Sequence, residues 1–155
     1  MKKLLLSLIL ICAVASSVPA QDIYNEVKHI LQEVEKIKYD TSKNIEDRKI
    51  AAFKWDAIYY MIMKAAADDK FTEVELGKQT NAMIDFVNSF TKRYAQASRK
   101  SDREDLTAAF KKASLSYPLF NDNEKDIVNA YVDNPKFITQ FSIDCNWVRA
   151  LEAVK

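Results

Sequence analysis

The sequence predicts an all-α protein, a compact antiparallel bundle of five to six helices with no sheet. The 155-residue chain contains one glycine, Gly77, and three prolines, so it lacks the glycine-based tight turns that β-hairpins need. Its apolar residues recur at steps of three and four, which is the period of an amphipathic helix and not of a strand.

The first twenty residues, "MKKLLLSLILICAVASSVPA", have the pattern of a secretory signal peptide. Lys2 and Lys3 precede an apolar run over 4–15 that is too short to span a bilayer core of about 30 Å. Small residues before position 21 predict cleavage after Ala20, a periplasmic or secreted protein, and a single helical domain over 21–155. A lipoprotein signal ending at Cys12 is disfavoured because a large isoleucine precedes that cysteine.

Charge and hydropathy exclude two classes of partner. Removing residues 1–20 lowers the number of basic residues from 23 to 21, against 22 acidic ones. The mature chain is therefore nearly neutral and has no overall positive charge to attract nucleic acid. The most apolar later stretch, "IAAFKWDAIYYMIMKAAA", carries Lys54, Asp56 and Lys64, which are costly in lipid. We therefore expect no transmembrane segment after signal removal.

Caps and periodicity divide the mature chain into six helices. Asn44, Thr72 and Ser101 precede apolar-periodic segments as N-caps, the last two with a glutamate three residues on, as in a capping box. The resulting helices cover about 22–39, 45–67, 73–98, 101–117 and 121–132, and the sixth follows a cap at residue 134.

Predicted helices two and six are apolar on most sides. Such helices are buried on most sides, so both are expected to lie centrally, or one of them buries a face in a partner. A helical-repeat solenoid is disfavoured because Pro118 and Pro135 are separated by half a tetratricopeptide repeat.

Cys145 is predicted to be a structural buried thiol, and the alternatives are a half-exposed thiol or an intermolecular disulfide, which an exported protein can form. On predicted helix six it shares a face with Phe141 and Val148, and apolar surroundings raise a thiol pKa and make it inert. The single histidine, His29, falls among polar residues of helix one, so a Cys–His nucleophilic pair is not expected. Glu26 and His29 have the Glu-x-x-His spacing of di-metal bundles, but such a site needs two of these motifs and the sequence has only one.

Two carboxylates are candidate buried polar groups. Asp56 lies among apolar residues of helix two, and Asp144 lies on the apolar face of predicted helix six. A buried carboxylate needs hydrogen bonds or a cation. Each is interpreted either as a structural partner of a tyrosine hydroxyl or indole N–H, or as a perturbed group that marks a site.

A basic cluster falls around the third and fourth helices. Cations at the end of a helix interact favourably with its dipole, which explains the cluster without a ligand. The alternative is a patch that binds anionic groups of the cell envelope. Its residues are Lys92, Arg93, Arg99, Lys100 and Arg103.

No motif for a cofactor or metal is present. The scarcity of glycine excludes phosphate-cradling loops and dinucleotide fingerprints, and "DDKFTEVE" lacks the central glycine of a calcium loop. We therefore expect no cofactor, no metal and no catalytic residues.

The C-terminal sequence "SYPLFNDNEKDIVNAYVDNPKFITQFSIDCNWVRALEAV" resembles the C-terminal part of small exported helical proteins of unknown function from Gram-negative bacteria. The resemblance implies an exported helical protein and no mechanism.

Three functions remain. The first is a non-catalytic binding or interaction module of the bacterial envelope, whose partner is an envelope protein, a glycan or a second copy of the chain. The second is a carrier of small apolar ligands with a cavity between helices two and six. The third is a glycan hydrolase based on carboxylates.

Overall fold

A computed structural model describes residues 20–115 and 141–155 of the chain. Within these ranges the secondary structure is helical and no strand occurs, which confirms the all-α prediction. The predicted signal peptide up to residue 19 and the predicted helix over 121–132 lie outside the described residues. The helices are α1 (Ala20–Tyr39), α2 (Ile45–Ala67), α3 (Glu73–Gln96), α4 (Lys100–Leu115) and α5 (Trp147–Val154).

Local capping fixes the starts of α2 and α3 as the sequence predicts. The Asn44 side-chain oxygen accepts a hydrogen bond from the backbone N–H of Asp47 at 2.8 Å. The Thr72 hydroxyl accepts one from the N–H of Glu75 at 3.3 Å. Each cap satisfies one of the N–H groups that a helix leaves without a partner at its start.

The predicted cap of α4 is wrong by two positions. The helix begins at Lys100, and the backbone N–H of Arg103 donates to the carbonyl of Arg99 at 3.3 Å. Arg99 therefore occupies the N-cap position, and its guanidinium pairs with Asp102 at 3.0 Å. Ser101 lies inside the first turn.

The predicted sixth helix is confirmed over 147–154 and wrong over 141–146. Residues 141–146 are not helical, and α5 begins at Trp147 behind an Asn146 cap, whose side chain accepts from the N–H of Arg149 at 3.0 Å. The Ser142 hydroxyl donates to the carbonyl of Asp144 at 2.8 Å. Such local side-chain bonds give the backbone an alternative to the helix.

The central helix is α3, which packs against each of the other four described helices. Its buried face includes Leu76, Met83, Phe86 and Phe90, all without solvent exposure. The second helix is expected to lie centrally or to bury a face in a partner. In the structure α2 buries Phe53 and Ile58 and leaves Tyr59 and Met63 exposed, so the central place belongs to α3 and the partner alternative for α2 stays open.

A cluster of aromatic rings holds the C-terminal segment against the bundle. Phe141 meets Phe90 edge-to-face with 5.0 Å between ring centroids, and Trp147 meets Phe86 at 5.4 Å. Both also contact Phe53 of α2 at 6.1 Å. Each such pair contributes about 0.5–1.5 kcal/mol beyond its buried area, so the cluster joins α2, α3 and α5 across long sequence separations.

Candidate functional site

A groove of about 340 Å³ opens between the end of α1, the first half of α2 and the second half of α3. Four of its lining residues are apolar and five carry charged or polar side chains. The apolar residues are Val34, Ile37, Ile50 and Ala51, and the polar ones are Lys43, Asp47, Lys54, Asn88 and Thr91.

Lys54 is the half-buried cation of this groove. Its Nζ donates to the side-chain oxygen of Asn88 at 2.8 Å, and burial lowers the pKa of its ammonium group. Within the ranges 20–115 and 141–155, no carboxylate lies within ion-pair distance of Lys54. The carboxylate of Asp47 accepts instead from the Asn44 amide at 2.6 Å.

Asp144 is buried and bonded to α2. One carboxylate oxygen accepts from the Tyr60 hydroxyl at 2.7 Å, and the other accepts from Lys64 Nζ at 2.9 Å. It lies on the non-helical stretch before α5 and not on the face of a helix, so that part of the prediction is wrong. The two bonds compensate its charge and fix residues 141–146 against α2.

Cys145 lies half-buried beside this pair. The prediction that it shares a helical face with Phe141 is wrong, because residues 141–146 are not helical. Burial raises the pKa of its thiol, the neighbouring Asp144 carboxylate raises it further, and Lys64 opposes both. The thiol is therefore protonated at neutral pH and is a weak nucleophile. His29 is exposed on α1.

Asp56 is half-buried on the outer side of α2. Its carboxylate lies 4.0 Å from Lys38 Nζ, and the same ammonium lies over the Trp55 ring, 4.1 Å from the centroid. Burial raises the pKa of Asp56, and Lys38 acts in the opposite direction. The two carboxylates therefore have different cationic neighbours: Lys38 lies near Asp56, and Lys64 binds Asp144.

Four members of the basic cluster have partners at helix ends. Arg93 donates to the carbonyl of Val154 at 2.8 Å, and Arg103 donates to that of Ala97 at the same distance. Arg99 pairs with Asp102, and Lys100 pairs with Glu104 at 3.5 Å. Arg93 and Arg103 thus bind carbonyls at the C-terminal ends of helices, the contact that the helix-end interpretation describes, whereas Arg99 and Lys100 lie at the start of α4 and pair with carboxylates. The fifth member, Lys92, is exposed.

The outer side of α2 carries an apolar strip, hereafter the α2 strip, formed by Ala52, Trp55, Tyr59, Met63 and Ala66. The Trp55 and Tyr59 rings stack with 5.1 Å between centroids. Tyr59 and Met63, one turn apart, are 46% and 51% exposed. The hydropathy of α2 predicts apolar residues on most sides, but only the packing shows that this side is exposed at Tyr59 and Met63, while Lys38 of α1 covers the ring of Trp55.

Lys54 is a candidate site residue that the sequence pattern does not single out. In the sequence this lysine counts only against a membrane span, although a cation between Ala51 and Ala57 on a largely apolar helix is a usable signal. A buried lysine must find a polar neighbour or a counter-charge. The neighbour turned out to be Asn88 on α3, which no local pattern identifies.

In the part of the chain that the structure describes, no three His, Cys, Asp or Glu side chains come together to hold a metal. None of the described helices is long and apolar enough to cross a membrane. Comparisons with protein-family models, curated proteins and solved structures found no significant match. The resemblance to exported helical proteins therefore stays a hypothesis.

Proposed function

We propose that the protein is an exported, non-catalytic interaction module of the bacterial envelope, and that the α2 strip is its docking surface. The observation that supports this proposal is a helix with apolar residues on most sides and one apolar side exposed, at Tyr59 and Met63. Exposed apolar surface of this kind is typical of protein–protein contacts. Export rests on the N-terminal pattern of a signal peptide.

The dimensions of the α2 strip favour an amphipathic helix of another protein as the occupant. The strip covers residues 52–66, about 21 Å at 1.5 Å per residue, and is one side chain wide. A stable homodimer needs about 800 Å² from each partner. Two half-exposed large side chains and flanking alanines supply much less. A narrow apolar strip instead fits a helix whose own apolar residues lie at steps of three and four.

Site-specific photocrosslinking in the cell envelope tests this proposal. A photoreactive residue at Tyr59 should crosslink to one defined envelope protein, and Met63→Lys should abolish that product because it places a charge in the contact. Val74 is a matched control position, since it is a similarly exposed apolar residue at the start of α3. Crosslinks only between copies of this chain, or products unaffected by Met63→Lys, would contradict the proposal.

The second candidate function is a carrier of small apolar ligands, and the groove between α1, α2 and α3 favours it. The sequence predicts a carrier cavity between the second and sixth helices. Between α2 and the described C-terminal residues, however, the rings of Phe53, Phe141 and Trp147 pack together. A carrier would therefore hold its ligand in the groove that contains Lys54.

The third function, a carboxylate-based glycan hydrolase, has no observation that favours it among the described residues. Such enzymes place two carboxyl groups about 5–10 Å apart across the substrate. Of the residues that line the groove, Asp47 alone carries a carboxylate, and it is bonded to Asn44. We therefore propose no reaction for this groove.

A further inference from the structure

The groove combines an apolar wall with an excess of positive charge. Its lining has two lysines, Lys43 and Lys54, against one acid, Asp47, which leaves one positive charge. Lys54 is half-buried and, within the described ranges, bonded to the neutral Asn88 amide rather than to a carboxylate. A partly desolvated ammonium group with no counter-charge is unfavourable, and one bound anionic group would compensate it.

We propose that this groove binds a linear aliphatic monocarboxylate of medium chain length, with its carboxylate on Lys54 and its alkyl chain along Val34, Ile37 and Ile50. This inference rests on the carrier function and names its ligand. It is independent of the docking surface proposed for the α2 strip, because the two sets of residues do not overlap.

The charge of the groove selects the head group. An ammonium group has three N–H donors, and the bond to Asn88 uses one of them, so two remain for the oxygens of a carboxylate. A monoanion matches the excess of one charge. A phosphate dianion would bring a second negative charge close to Asp47, and a cationic head group would repel Lys43 and Lys54.

The size of the groove favours a short alkyl chain. Its volume of about 340 Å³ lies near the lower end of the range of about 300–1,000 Å³ for small-ligand pockets, so a medium-chain fatty acid fits better than a long-chain one. Decanoate serves as the probe.

Calorimetric titration of the purified protein with decanoate, below its micelle concentration, tests the inference. Decanol is the neutral comparison and decyl phosphate is the dianionic one. The wild-type protein should bind decanoate more tightly than either. Lys54→Met should weaken decanoate binding by about tenfold or more, the usual effect of losing one charge-assisted hydrogen bond, and should leave decanol binding unchanged. The exposed Lys78 supplies the control Lys78→Met, which should change neither affinity.

A second pair of variants tests the place of binding independently of charge. Thr91 lines the groove and donates to the carbonyl of Asn88, whereas Thr107 on α4 makes a similar bond to the carbonyl of Arg103. Thr91→Phe should reduce the affinity for decanoate by filling the groove, and Thr107→Phe should not. Equal affinity for decanoate and decanol would overturn the proposed ligand and leave the carrier function standing. No binding of any of the three probes would overturn both.

Discussion

Gln79 of α3 caps the last helix of the protein, since the backbone N–H of Trp147 donates to its side-chain oxygen at 2.6 Å. Gln79 is buried, and its amide nitrogen donates in turn to Glu75 at 2.7 Å. Trp147 is the first residue of α5, where the N–H has no partner within the helix. A side chain 68 positions earlier therefore satisfies the start of α5 and holds this helix against α3.

The first prediction concerns this contact. Gln79→Leu keeps the volume but leaves the buried N–H of Trp147 without a partner, which should lower the free energy of unfolding by about 1–3 kcal/mol. Urea denaturation followed by tryptophan fluorescence measures the change. Gln32 is exposed on α1, and Gln32→Leu is the control. Equal stability of the two variants would show that the contact is not stabilising.

The second prediction concerns Lys64 and Asp144. Lys64→Met removes the cation from a buried carboxylate and should lower the free energy of unfolding by about 2 kcal/mol. The Lys64→Met/Asp144→Asn double variant should lose less than the sum of the single changes, because neither remaining group is then buried with an uncompensated charge. Thermal or urea unfolding of all four proteins gives the coupling energy.

A surface pair provides the comparison for this cycle. Lys36 and Glu33 form an ion pair on α1 with side chains that are 72% and 52% exposed, and Lys36→Met should change stability by less than about 1 kcal/mol. Additive effects of the two Lys64 and Asp144 changes would mean that the buried pair makes no specific contribution.

The third prediction concerns the one glycine. A methyl group at Gly77 would lie 2.8 Å from Cγ2 of Ile23, so α1 and α3 approach closely at this point. Gly77→Ala should therefore destabilise the protein, although alanine is better than glycine in a helix by about 1 kcal/mol. In an Ile23→Ala background the same change should become stabilising by up to this amount. Differential scanning calorimetry of the two pairs checks the change of sign.

The fourth prediction concerns the reactivity of Cys145. Because burial and the Asp144 carboxylate raise the pKa of this thiol, the thiolate needed for alkylation is scarce at pH 8. Labelling with a maleimide should be much slower in the native protein than in urea. Asp144→Asn removes the negative neighbour and should increase the native rate. A native rate equal to the rate in urea would contradict the assignment of an inert thiol.

The fifth prediction concerns the pH dependence that Lys54 contributes. Burial lowers its pKa in the folded state, so the unfolded chain binds this proton more strongly. Burying the charged Lys54 therefore destabilises the folded protein, and the full effect is present at pH values below the pKa of Lys54 in the folded state. The effect decreases as the pH rises through that pKa towards the ordinary pKa of lysine, because the folded protein then loses the proton. Lys54→Met should stabilise the protein at pH 7, and the gain should shrink in alkaline solution.

Urea midpoints for the wild type, Lys54→Met and the exposed control Lys92→Met, measured from pH 6 to 10, test this dependence. Subtracting the wild-type curve removes the contribution of other groups that titrate in the same interval. If the difference in urea midpoint between Lys54→Met and the wild type stayed constant from pH 6 to 10, the predicted pH dependence would be wrong.

The sequence by itself determined the helical class and the starts of two helices. Asn44 and Thr72 act on backbone N–H groups three residues away, and the apolar period repeats within two turns. These interactions involve only residues within a short segment, so they can be predicted from the sequence without knowing which other helices pack against that segment. The scarcity of glycine likewise acts locally, because it removes the turns that hairpins require.

The tertiary structure decided that residues 141–146 pack against α2 and stay outside the last helix, which side of α2 is exposed and which residues line the groove. Asp144 meets Lys64 across 80 positions of sequence, and Lys54 meets Asn88 across 34. Periodicity assigned residues 141–146 to a helix because it does not register the competing bonds to Tyr60 and Lys64. Contacts of this kind depend on how helices are placed relative to one another, and that placement follows from packing of the whole core rather than from any local pattern.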